Sequence, residues 1–277
     1  MNINEAIEYS IKSIGGSEAN IDSQYLLSFI LQKKFTWLKT WPETILSQQQ
    51  ETLLFELVKR RKQGEPIAFI TGERDFWTLT LETNPSTLIP RPETELLVEK
   101  ALEFLKDLPK AKILDLGTGT GAIALAIASE RKNDKLYATD YVEDVVDLAK
   151  RNAIKNKISN VEIFQSDWFS KIKETEFDLI VSNPPYVEEN DPHLNQGDLR
   201  FEPKSALTAG DNGLADIKII IEESRPRLVN GGNVMIEHGY YQANELREIF
   251  RSFGYQKIKV IKDLAGLDRI STGVFLH

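Results

Sequence analysis

The chain has 277 residues, 41% apolar and 27% charged, a composition typical of soluble globular proteins and long enough for one large domain or two ordinary ones. Its 34 Lys and Arg against 42 Asp and Glu leave a net charge of -8, the reverse of the balance that gripping a long phosphate backbone requires. With no cysteine there is no disulfide, thiolate metal site or Cys nucleophile, and His193, His238 and His277 lie too far apart for metal-ligand spacing, so no metal site is expected.

The chain starts "MNINEAIEYSIKSIGG", without a basic segment leading into an apolar run, and no stretch approaches the roughly 20 apolar residues of a membrane span. A cytoplasmic protein is the expectation. Residues 4–14 place Ile7, Ile11 and Ile14 at helical spacing, and a glycine pair ends the run. A second segment, residues 17–34, predicts a helix with Ile21, Tyr25, Leu26, Phe29 and Ile30 on one face. A third, residues 47–64, starts at Ser47 as N-cap and closes on a basic turn and Gly64. These predict a helical bundle over residues 1–72. Residues 76–83 then alternate like a strand, Asn84-Pro85 marks a turn, and "IPRP" at 89–92 cannot lie inside a helix, so residues 73–92 read as a β-hairpin linker. Pro92 suits the first turn of a following helix.

From residue 93 to 277 strands alternate with helices of ten to fifteen residues: "KILDLG", "KLYATD", "NVEIFQSD", "FDLIVSN" and "GGNVMIEHG", then two last strands near 256–261 and 271–276. This rhythm predicts an α/β domain with a seven-stranded, mostly parallel sheet. Residues 262–270 are too few for a parallel crossover, so the last strand is expected to run antiparallel.

Ligands of open parallel sheets bind beyond the carboxyl ends of the strands. Those ends hold "DLGTGTG" (Asp115 to Gly121), Asp140, Asp167-Trp168 and Asn183. Four successive polar or glycine-rich tips point to one pocket. The glycine loop brings backbone close to a ligand, and Asp140 is placed for ribose hydroxyls. A dinucleotide fits this loop loosely, with Ala122 as the last position of a G-x-G-x-x-A pattern. Asp115 disfavours it, because a carboxylate before the first glycine repels a pyrophosphate but not a sulfonium cation. In "NPPY" (183–186), two prolines stiffen the backbone after Asn183. The Asn183 oxygen and the Pro184 carbonyl could each accept one N–H of a planar amide or amine, with Tyr186 as an aromatic wall.

"NPPY" after the fourth strand, with "DLGTGTG" after the first, resembles class I S-adenosylmethionine-dependent methyltransferases that act on planar nitrogens. "GEPIAFITGERDFW" (64–77), "LIPRPETE" (88–95), "IFQSDWFS" (163–170), "DPHLNQGDLRFEPKSAL" (191–207) and "DSQYLL" (22–27) narrow the resemblance to the HemK/PrmC family. These are the protein-(glutamine-N5) methyltransferases of peptide chain release factors. The resemblance implies S-adenosyl-L-methionine as cofactor and the glutamine of the Gly-Gly-Gln motif of class I release factors as target. It implies that Gly117, Thr118, Gly119, Thr120, Gly121, Asp140, Trp168 and Asn183 line the cofactor site. It also implies that Asn183, Pro184, Pro185 and Tyr186 hold the glutamine amide, and that the N-terminal bundle docks the release factor. A monomer that binds neither nucleic acid nor membrane is expected. Two departures, "DSQ" for the more usual Asp-Ala-Glu and a loosely similar tail, lie away from the site.

The main rival is a methyltransferase of nucleic-acid exocyclic amines, adenine N6 or guanine N2, which present a similar edge to "NPPY". The acidic balance and an N-terminal bundle without interleaved basic and aromatic residues argue against it. An NAD-dependent oxidoreductase lacks an evident hydride-transfer acid or base, and an inactive cofactor-binding protein would not need an intact "NPPY".

Overall fold

A computed structural model describes residues 1–276, and the chain divides into two compact units, Met1–Glu73 with Asn195–Phe201 and Arg74–Leu194 with Glu202–His277. In the first unit, α1 (Ile3–Ile14), α2 (Ala19–Leu31), α3 (Phe35–Thr40), α4 (Gln48–Lys62) and α5 (Ile67–Thr71) form a bundle. Its start signals are local. Asn2 caps α1 and Ser47 caps α4, each in a capping box with the residue three further on, Glu5 and Gln50. The last turn of α4 carries Lys59, Arg60, Arg61 and Lys62 against the negative end of the helix dipole.

The bundle core is built from Ile3, Leu26, Leu27, Leu38, Leu54, Leu57, Val58 and Ile70. This corrects the face expected for α2: Ile21 and Tyr25 are exposed, whereas Asp22, Ser23, Leu26 and Leu27 are buried. Polar residues can face inward there because each finds a partner. Ser23 donates back to the Ala19 carbonyl at 2.5 Å, and the Asp22 carboxylate accepts from Arg61 Nε at 2.7 Å. Arg61 also reaches Asp198 at 3.0 Å, tying the 195–201 segment to the bundle. The two shortest helices, α3 and α5, span only six and five residues, too few to show a period in sequence.

The second unit opens with a two-stranded hairpin, β1 (Glu73–Phe76) and β2 (Leu79–Glu82). Residues 76–83 are therefore not one strand. The chain reverses at Trp77, whose φ of 58° is unusual for a bulky residue and carries no turn signature in sequence. Then follow α6 (Glu95–Leu105), β3 (Lys112–Leu116), α7 (Ala122–Glu130), β4 (Lys135–Asp140), α8 (Glu143–Lys155), β5 (Val161–Gln165) and β6 (Phe177–Ser182). A short turn, α9 (Gly210–Gly213), leads to α10 (Ala215–Ser224), β7 (Leu228–Glu237), α11 (Ala243–Ser252), β8 (Gln256–Lys262) and β9 (Asp268–Val274).

The seven-stranded sheet has the order β5-β4-β3-β6-β7-β9-β8, with β9 antiparallel to both neighbours and the other pairings parallel. The final strand starts and ends earlier than expected, at 268–274, because residues 263–267 close as a tight loop around Asp263, which accepts from the backbone of Ala265 and Leu267. α10 is regular over 215–224, and Pro226 closes it as a 3-10 turn.

Alternate strand residues face opposite layers. Ile113, Leu179, Val181 and Met235 pack against α6 and α7; Leu114, Leu116, Ile180, Val234 and Ile236 pack against α10 and α11. The chain runs from β3 outward to β4 and β5, then crosses back to β6 on the other side of β3. The crevice of a doubly wound sheet opens at such a reversal, here between β3 and β6.

Candidate active site

At the end of β3, Gly117, Gly119 and Gly121 all adopt left-handed backbone (φ 67°, 56° and 86°), which a side chain would strain. Five hydrogen bonds hold this loop in shape. Thr118 N donates to the Thr139 carbonyl at 2.9 Å, Gly119 N to Asp140 Oδ2 at 3.0 Å, and Asn152 Nδ2 to the Thr120 carbonyl at 2.9 Å. Asp115 Oδ2 accepts the other two, from Thr118 Oγ1 at 2.7 Å and Ala124 N at 3.2 Å. Asp115 is 1% exposed, and burial pushes its carboxyl up to about 7 despite these bonds. It stands behind the loop and does not line the cavity wall.

The loop forms one wall of a cavity of about 400 Å³. Of the residues singled out in sequence, Gly117, Thr118, Gly119, Thr120, Ala122, Asp140, Asp167, Trp168, Asn183 and Pro185 line it. Gly121, Pro184 and Tyr186 do not. Gly121 is the N-cap of α7, with Leu125 packed where its side chain would be. Pro184 is buried, and Tyr186 packs into the layer of α10 and α11, its hydroxyl against Arg269; burial raises its phenol further above its ordinary range.

Three features test the cavity against S-adenosylmethionine. At Gly117 a Cβ would come within 3.5 Å of the Trp168 ring, so glycine leaves the ring open to a flat ligand. The Asp140 carboxylate, fixed by Gly119 N and Val142 N, can still accept from ribose hydroxyls. The loop carries no Lys or Arg for a pyrophosphate, and the carboxyls of Asp115 and Asp140 bond to it. The donor set fits a cationic nucleoside and would resist a dinucleotide.

Asn183 follows β6 directly, opposite the glycine loop. Its Nδ2 donates to Thr94 Oγ1 at 3.2 Å, turning the amide nitrogen into the protein. Among the described residues no donor reaches Asn183 Oδ1 or the Pro184 carbonyl. Behind them the chain is locked from two sides. Gln242 Nε2 donates to the Tyr186 carbonyl at 3.0 Å, and Gly213, at φ 79°, presses so closely on that carbonyl that a Cβ would overlap it.

Several site residues escaped the sequence reading. Thr87, Leu88, Pro90, Arg91 and Thr94 line the cavity from the loop that contains "IPRP", together with Ser205, Ala206 and Asp216. That loop is shaped by Glu202, which accepts from Ile89 N at 3.1 Å and Arg91 Nη2 at 2.5 Å. Asp216 accepts from the Trp168 side chain and orients the ring. None of these carries a spacing signal.

A sheet of this order, with a glycine loop after its first parallel strand and a cavity fitted to a cationic nucleoside, defines a class I S-adenosylmethionine-dependent methyltransferase. The fold is similar to that of a methyltransferase from Pyrococcus furiosus (TM-score 0.53, 23% identity, 84% of this chain and 100% of that one). Family models for the PrmC N-terminal domain match residues 5–72 and for the methyltransferase small domain residues 92–201. The chain is 48% identical over 99% of its length to the release factor glutamine methyltransferase of Shewanella oneidensis, covering 96% of that protein. It is 49% identical over 91% of its length to the enzyme of the same name from Escherichia coli, covering 91% of that protein. The chain belongs to the release factor glutamine methyltransferase family.

Proposed function

We propose that this enzyme methylates the side-chain amide nitrogen (N5) of the glutamine in the Gly-Gly-Gln motif of class I peptide chain release factors, acting in the cytoplasm as a monomer. The observation that carries the reading is the hydrogen bonding of Asn183, which lines the cavity: its NH₂ group is bound to Thr94, and among the described residues no donor reaches its oxygen. An acceptor there suits a ligand that brings a donor pair, as a carboxamide does. Among the described residues no helix is long and apolar enough to cross a membrane.

S-adenosylmethionine, held by Gly117 to Thr120, Asp140 and Trp168, supplies an electrophilic methyl group. A carboxamide nitrogen is a poor nucleophile because its lone pair is delocalised into the carbonyl. Asn183 Oδ1 and the Pro184 carbonyl accept its two N–H groups, raise electron density on the nitrogen and fix its plane. Pro185 contributes to the cavity wall, and Tyr186 holds the backbone that carries both acceptors. The nitrogen would bond the methyl carbon as that carbon's bond to sulfur breaks, and one N–H proton would pass to solvent; catalysis is then positioning and electrostatics, with no side-chain nucleophile. The N-terminal bundle serves as a docking surface for the release factor.

The test is transfer of labelled methyl to purified release factor. Label should appear on the peptide containing the Gly-Gly-Gln glutamine and vanish when that glutamine is replaced. Labelling of bare RNA or DNA in place of the protein would overturn the proposal.

A further inference from the structure

Glu237 ends β7, and the pairing of Ser182 with Ile236 sets it beside Asn183 on the neighbouring strand. The residue is 2% exposed, and its Oε2 has no hydrogen-bond partner. Its other contacts are the Thr94 hydroxyl and the Asn183 amide. Thr94, in turn, lines the cavity and accepts from Asn183 Nδ2. The three side chains thus form a chain running from the cavity wall to a buried carboxyl.

A stabilising role does not account for this carboxyl. Burying an ionised group is costly unless it is fully paired, and an isosteric neutral residue would serve the fold better. Arg269 attracts it electrostatically, but the hydrogen bonds of Arg269 go elsewhere: its Nε and Nη2 donate to Asp263 at 3.3 and 3.2 Å, and it also binds the Tyr186 hydroxyl.

We infer that Glu237 is a positioning residue for methyl transfer, which with Thr94 holds the Asn183 amide oxygen toward the substrate and strengthens it as an acceptor. The inference rests on the methyl-transfer reading above. An amide has two orientations of nearly equal shape, and the wrong one would present an NH₂ group to the substrate's own NH₂. A carboxylate behind Asn183 accepts only, so it selects the orientation that turns Oδ1 outward. The carboxylate behind Nδ2, bridged by the Thr94 hydroxyl, also polarises the amide toward Oδ1, strengthening the bonds it accepts.

The ionised form is the effective one. The groups facing Glu237 are Glu93 and Thr94 before α6, Asn183 and Tyr186 after β6, and Arg269 on β9, with His238 next along the chain after β7. Burial, with a smaller contribution from Glu93, holds its carboxyl near 7 against the opposing pull of Thr94 and Arg269. Turnover should therefore rise as pH increases through about 7.

The experiment compares full-length wild type and Glu237→Gln with purified release factor between pH 6 and 9, recording kcat, KM, cofactor affinity and melting temperature. Exchanging a charge-assisted for a neutral bond predicts about a tenfold fall in kcat at pH 8. Cofactor affinity should stay the same, the melting temperature should be no lower, and the rising limb near pH 7 should flatten. Asp115 titrates in the same range, so the limb is read as the difference between variant and wild type. A kcat within twofold of wild type, or an unchanged limb, overturns the inference, as does a fall in kcat that tracks a fall in melting temperature. Should Glu237→Gln not fold, Glu237→Asp carries the test: lower kcat with the limb retained supports the role, and unchanged kcat refutes it. Wild-type enzyme inactive on the release factor would instead sink the proposed function, so the two failures are distinct.

Discussion

On the proposed mechanism, replacing Asn183 by Ala removes one acceptor at the reacting nitrogen. In the structure the lost atoms are Oδ1, which no donor among the described residues reaches, and Nδ2, bound to Thr94 Oγ1 at 3.2 Å. Losing one preorganised hydrogen bond at a reacting centre typically costs about 10²–10³ in kcat, roughly 3–4 kcal/mol of barrier. Thr94 and Glu237 each lose a donor in a buried setting, which adds about 1–2 kcal/mol of destabilisation. The glycine loop, Asp140 and Trp168 are untouched, so cofactor affinity should stay within about threefold. Single-turnover transfer of labelled methyl to release factor gives the rate, and equilibrium titration of S-adenosylmethionine gives the affinity. A loss of cofactor affinity comparable to the loss of rate would refute the reasoning, because Asn183 would then act mainly on the cofactor.

Asn152→Ala should weaken cofactor binding from a distance and cost about 2–4 kcal/mol of stability, because the buried amide bonds Glu82 N, the Glu82 carbonyl and the Thr120 carbonyl of the glycine loop; denaturant unfolding and titration check both. Gly213→Ala should have the opposite profile, with kcat reduced at least tenfold and cofactor affinity nearly unchanged, since a Cβ there displaces the Tyr186 carbonyl and with it the "NPPY" backbone. Asp115 is predicted to govern part of the pH dependence of stability. Its folded-state value near 7 lies above its ordinary 3.8, so its contribution is fully present below about pH 4 and is lost as pH rises through 7. Asp115→Asn should therefore gain stability relative to wild type between pH 5 and 8, and a difference that is flat with pH would contradict this.

The strand-helix alternation after residue 93 was legible because each βα unit repeats the same apolar rhythm, and the antiparallel last strand followed from loop length alone. Capping boxes at Asn2 and Ser47 involve residues three apart, so the Ser47 start could also be read locally. The face of α2 could not. Asp22 is buried because Arg61, 39 residues away, meets it, and no window on α2 contains that fact. Likewise Trp77 turns the hairpin without any turn residue, held by Glu95, which accepts from its backbone N–H at 2.8 Å.

At the site the same division holds. Residues on one strand end share one edge by topology, so Gly117, Asp140 and Asn183 could be grouped from sequence before any coordinate was known. The sequence by itself determined the parallel sheet, the glycine loop and the stiff backbone after Asn183, because each depends on neighbours along the chain. Only the tertiary structure decided which way the Asn183 amide turns and what holds it there. Thr94, Gly213 and the pair Glu237 and Gln242 come from three separate stretches, and hydrogen bonds and close packing across the fold, which leave no period in a sequence, bring them to one strand tip.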